Sequence, residues 1–137
     1  MPDTERFRPE QLFDFTVRVF RHLGVPDDDA RTAATVLQAA DLRGIDSHGV
    51  ARLHSYFDML RLGRIDPKPK VTIVRESPST ATVDGGNGLG LVVGPKANAI
   101  ASGFVPSIRS APQSGSTVFV AFVIDQPMRS RFSASST

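Results

Sequence analysis

Between Pro9 and Leu23 the apolar positions Leu12, Val19, Phe20 and Leu23 recur at helical spacing. They predict a first helix over 9–23, with proline in its opening turn and Gly24 as its stop. A second helix is expected to start near Pro26. Asp27, Asp28 and Asp29 fill its first turn, where negative charge suits the positive end of the helix dipole. Ala30, Ala33, Ala34, Leu37 and Ala40 give it a small-residue face suited to close packing, and Gly44 ends it. A third helix is expected with Asp46 or Ser47 as cap, Leu53, Phe57 and Leu60 as core positions, an end near Leu62 and Gly63 as terminator. The pattern then changes. Pro67 and Pro69 make 64–70 an extended connector. The runs 71–74 and 80–83 read as strands joined by a turn at 76–79. A glycine cluster over 85–90 leads into a further helix at 91–101. The class is α+β: a layer of about three helices, a β-hairpin and one more helix.

Composition changes this picture at one place. Residues 1–102 hold nine leucines and five serines; residues 103–137 hold no leucine and eight serines. Within the second stretch, 117–124 is a single apolar β-type run without period-2 alternation. A buried strand explains such a run. So does sequence never selected to fold, such as translation in a shifted frame. Residues 103–137 are therefore expected to form an aberrant or poorly ordered tail behind a domain ending near 102. The net charge is +2, and its excess comes from Arg109, Arg129 and Arg131 against Asp125. No basic block is present, so a nucleic-acid partner is not expected. No apolar run is long enough for a membrane span, no signal pattern opens the chain, and cysteine is absent. A cytoplasmic location is the expectation.

The chemistry concentrates in Asp41-Leu42-Arg43-Gly44-Ile45-Asp46-Ser47-His48-Gly49-Val50-Ala51-Arg52-Leu53. Residues four apart on a helix lie above one another. On a helix starting at 46 or 47, His48, Arg52 and Tyr56 would share one stripe beside free backbone N–H groups. A histidine, a cation and a phenol so placed suit a small carboxylate carrying a neighbouring hydroxyl or carbonyl. Oxidising a secondary alcohol needs a base for the hydroxyl proton, and histidine serves near neutral pH. A helix start would disfavour the imidazolium and keep His48 ready to accept that proton. Arg52 could pair with a carboxylate in bidentate fashion, or with Asp46, Asp58 or the acids of the second helix. Ser47 reads more readily as a cap than as a catalytic hydroxyl, and Tyr56 more readily as a buried ring. His22 and His54 read as surface residues. No metal site is expected, because no two histidines form an i,i+4 pair.

Three stretches in order carry a resemblance: 40–53 with Tyr56, then Gly63-Arg64-Ile65, then Ala81-Thr82-Val83-Asp84-Gly85 with Gly88-Leu89-Gly90 and Val93-Gly94. They resemble the malate/L-lactate dehydrogenase family of the second type, which includes ureidoglycolate dehydrogenase and diketogulonate reductase, over about residues 6–102. The resemblance implies the N-terminal portion of an oxidoreductase that uses NAD or NADP and does not have a Rossmann cofactor domain. It implies hydride transfer between the nicotinamide and a 2-hydroxy or 2-oxo acid such as malate or lactate, in a homodimer. His48 matches the family's catalytic histidine; Ser47, Arg52 and Tyr56 match its substrate-binding neighbours. Family members are more than twice as long and carry a second histidine in an Asn-His-Phe/Tyr-Gly type motif, whereas here no histidine follows His54. The chain alone is thus expected to be inactive, with its cofactor-binding residues unknown. The glycine cluster fails the dinucleotide spacing, since Val93 stands where the third glycine would fall. It reads instead as a turn that lets backbones approach closely. The reading from another class is a non-catalytic helical dimerisation or interaction module, suggested by the small-residue face of the second helix.

Overall fold

The computed structural model describes residues 6–77, 80–109 and 119–123. Helix α1 spans Pro9–His22, α2 Asp27–Asp41, α3 Leu53–Arg61 and α4 Gly90–Arg109; strand β1 spans Thr72–Ser77, β2 Thr80–Asp84 and β3 Phe119–Val123. The α+β class and the order of helices and hairpin are as the periodicity predicts. Three boundaries differ.

The expected third helix is broken. Asp46–His48 and Val50–Arg52 are separate 3-10 turns, and α-helix begins only at Leu53. Gly49 between them has φ −89° and ψ −149°, outside any helical region. The strand β1 also runs on to Ser77, so Glu76 and Ser77 pair with Ala81 and Thr80 rather than forming a turn. Pro78 and Ser79 lie outside the described residues. Lastly, α4 continues past residue 101 to Arg109, across the compositional break.

The core lies between the helices. Phe20 on α1, the alanines and Leu37 on α2, Leu53 and Leu60 on α3, and Leu89 and Val92 at the start of α4 form one buried cluster. The deepest α1 positions are Thr16, Val17 and Phe20; Leu12, Val19 and Leu23 flank them half-buried. The helix-one face is thus rotated from the expected stripe. Thr16 tolerates burial because its hydroxyl donates to the Leu12 carbonyl at 2.7 Å. Ala30, Ala33 and Ala34 let α2 pack closely and are themselves inaccessible. Asp27 and Asp29, at the start of α2, hold cations: Arg21 and Arg31 on Asp27, and Lys96 of α4 on Asp29 at 2.7 Å. The Asp27 hydrogen bond and charge raise the pKa of the Arg31 guanidinium.

In the antiparallel β1–β2 pair a bulge at Val74 shifts the register, and Val74 is 67% exposed while Ala81 and Val83 on β2 are buried. Strand β3 joins β2 in parallel, Thr80 opposite Phe119 through Asp84 opposite Val123, giving the order β1-β2-β3. A parallel neighbour requires a crossover, which α4 supplies. Much of the expected tail, 110–118 and 124–137, falls outside the described residues.

The glycine cluster behaves as a close-approach turn. Gly86 has φ +59°, and a Cβ there would meet the Lys70 carbonyl oxygen at 2.8 Å. Its amide donates to Asp84 Oδ1, while Asp66 N donates to the Asn87 carbonyl and Asn87 Nδ2 donates to the Arg64 carbonyl. The turn thereby ties the connector to the hairpin. Gly86→Ala combines a disfavoured backbone region with a backbone clash, so a loss of about 1–3 kcal/mol is expected in denaturant unfolding. A wild-type midpoint would show that the turn relaxes freely.

Candidate functional site

The segment 46–52 is short, polar and largely exposed, and its geometry is set from outside. The amide of Val50 opens the second 3-10 turn and has no partner within it. It donates to Asp41 Oδ2 at 2.9 Å, from the last residue of α2. The Asp41 carboxylate also lies where a Cβ on Gly49 would stand, so residue 49 must be glycine for this approach. The loop between is closed at its α2 end by Gly44 N donating to the Asp41 carbonyl and Ile45 N donating to the Ala40 carbonyl, both 2.9 Å. Gly44, with φ +72°, makes that reversal possible.

His48 ends the first 3-10 turn and is exposed. Its Nδ1 shares a hydrogen bond of 2.9 Å with Ser47 Oγ. With the proton on Nδ1, the ring donates to Ser47 and Nε2 is left as the acceptor. Arg52 closes the second turn and is exposed; among the described residues it forms no ion pair. Tyr56, on α3, is half-buried with its ring centroid 6.5 Å from that of Phe20.

These positions correct the expected stripe. His48, Arg52 and Tyr56 sit on three successive elements rather than one helix, and Gly49 interrupts the spacing between the first two. Neither Asp46 nor Ser47 caps a helix; neither 3-10 turn nor α3 has a side-chain cap from its own N-cap residue. The helix-start argument for a neutral His48 therefore loses its premise. The capping role passes to Asp41, which local rules could not assign. Its acceptor function spans nine residues and a chain reversal, and the one signal for it is its place in the quoted stretch.

His54 is fixed differently. Its Nδ1 bonds the Ala51 carbonyl at 2.9 Å, and with Phe15, Val19, Val50, Ala51, Leu53, Phe57 and Asp58 it lines a mainly apolar cleft of about 430 Å³ between α1 and α3. Gly86 and Gly88 leave no room for a phosphate, whereas the space beside Gly90 is open. The spaces beside Gly86 and Gly88 are filled by Lys70 backbone and by the Pro69 ring.

Comparison with known proteins agrees with the fold and the quoted stretches. A family model described as malate/L-lactate dehydrogenase matches residues 7–115, past the compositional break near 103. L-sulfolactate dehydrogenase of Methanocaldococcus jannaschii is 47% identical over 94 residues, covering 69% of this chain and 27% of the relative. Malate dehydrogenase of Pyrococcus horikoshii is 42% identical over 116 residues, covering 85% of this chain and 31% of the relative. The solved structure of malate dehydrogenase from Pyrococcus horikoshii OT3 superposes with a TM-score of 0.74 at 42% identity, over 77% of this chain and 30% of that one. The chain thus spans under a third of the length of these relatives.

Proposed function

Because the chain belongs to the malate/L-lactate dehydrogenase family, we propose that it is the N-terminal portion of an oxidoreductase acting on a 2-hydroxy or 2-oxo acid such as malate, lactate or sulfolactate. The observation that carries this reading is the family match across 7–115, which contains the whole 41–53 segment. The hydride acceptor is NAD or NADP, implied by the family alone, with no residue of this chain assigned to it. His48 takes the hydroxyl proton through Nε2 in the oxidative direction and returns it in the reductive one. Ser47 Oγ, bonded to Nδ1, can accept its proton and so accommodates the ring form that leaves Nε2 open. Arg52, in no ion pair among the described residues, offers its guanidinium to the substrate carboxylate. Tyr56 stands behind them with its ring in the core. The dehydrogenase-like part runs past residue 102, since the family match reaches residue 115, and the aberrant tail lies beyond it. The complete enzyme is a cytoplasmic homodimer. Among the described residues, no helix is long and apolar enough to cross a membrane.

The 137-residue chain alone is inactive in this reading, since none of its described residues is assigned to the cofactor. Assayed with NAD or NADP and malate, lactate or sulfolactate, it should produce no reduced nicotinamide; measurable turnover would overturn this part of the reading. Sequencing the source locus beyond codon 100 in all frames tests the rest. A continuation with a strand and a second histidine is the expected finding. Its absence would favour the second reading, a helical interaction module. The apolar cleft between α1 and α3, with Phe15 47% exposed, supports that alternative. The small-residue face of α2 does not, because it is consumed inside the fold.

A further inference from the structure

We propose that Asp41 is a positioning residue for His48, holding the link between the two 3-10 turns in place through its carboxylate. The inference rests on the reading of His48 as the proton-transfer residue.

Three observations carry it. First, Asp41 Oδ2 accepts the Val50 amide at 2.9 Å, and this N–H has no partner in its own turn. Second, the carboxylate lies against the Gly49 Cα, in the volume a side chain would need. Gly49 is buried although residues 42–48 are exposed. Third, Asp41 itself is anchored, since α2 is packed through Ala33, Ala34 and Leu37 into the core cluster. His48 adjoins Gly49 in a single 3-10 turn, in which the His48 amide donates to the Ile45 carbonyl at 2.9 Å and the Gly49 amide reaches the Asp46 carbonyl at 3.4 Å. A short 3-10 turn has little stability of its own. The carboxylate contact therefore transmits the rigidity of α2 to the histidine. It acts by the position of an acceptor oxygen, and its negative charge is incidental.

Position and charge can be separated by two conservative variants at this half-buried helix end. Asp41→Asn keeps an acceptor oxygen in place and removes the charge. Asp41→Glu keeps the charge and moves the carboxylate out by one methylene, which the Gly49 contact does not admit. The readout is ring nitrogen NMR of the 137-residue chain, comparing the Nδ1-H to Nε2-H ratio of His48 with that of His54 and with Val50 amide exchange. For Asp41→Asn the His48 ratio should match wild type. For Asp41→Glu it should move toward that of a free imidazole, with His54 unchanged and Val50 exchanging about fivefold faster or more. A changed His48 ratio in Asp41→Asn, or an unchanged one in Asp41→Glu, overturns the proposal. The measurement needs neither cofactor nor turnover. An enzyme indifferent to loss of His48 would therefore sink the functional reading and leave this result standing.

Discussion

In the complete enzyme, His48→Ala is expected to lower kcat by about 10²–10⁴-fold, the usual worth of a positioned general acid or base. The loss should fall mainly on kcat, because the imidazole acts on a proton that moves only as the hydride leaves. A substrate-binding residue behaves otherwise. Arg52→Lys should raise KM for the hydroxy acid more than it lowers kcat, since an ammonium cannot reproduce a two-point guanidinium contact. The two variants side by side therefore separate proton transfer from carboxylate recognition. His48 is exposed and outside the core cluster, so its loss should leave the unfolding midpoint close to wild type. Turnover unchanged within a factor of about two would remove His48 from the mechanism.

The second large effect concerns stability. Phe20→Ala should cost about 3–5 kcal/mol, enough to remove much of the margin of a small domain. Phe20 is fully buried, and it is the ring that Tyr56 leans on. Its loss leaves a void bordered by α1, α2 and α3, where the alanines of α2 are too small to close it. A chemical denaturation curve gives the cost directly. The same variant should loosen Tyr56, and through α3 the second 3-10 turn, so Val50 amide protection should also fall. A loss below about 1 kcal/mol would mean that the core repacks around the gap. Phe57→Ala, at a half-buried position on the cleft, is the natural comparison and should cost less.

The elements whose identity depends on local pattern were legible in the chain. Helices α1 and α2 follow from apolar spacing and from Gly24 and Gly44, both at positive φ where the reversals occur. The hairpin and the glycine turn follow likewise, and the close backbone approach expected of that turn is met at Gly86 against Lys70. The family was legible because its stretches keep their residues in order. The candidate site was legible only as a list of residues. Spacing by four puts His48 above Arg52 if the helix is continuous, and continuity depended on Gly49. Glycine there could have marked a tolerated helical position or a place reserved for another group. The sequence alone determined most of the elements and the candidate residues they bracket, because these follow from side-chain type and from interactions within a few positions. Only the tertiary structure decided that the segment 46–52 is two short turns held by Asp41. That contact joins residues on opposite sides of a chain reversal, and its energy exists only once α2 is packed and the carboxylate is brought against Gly49.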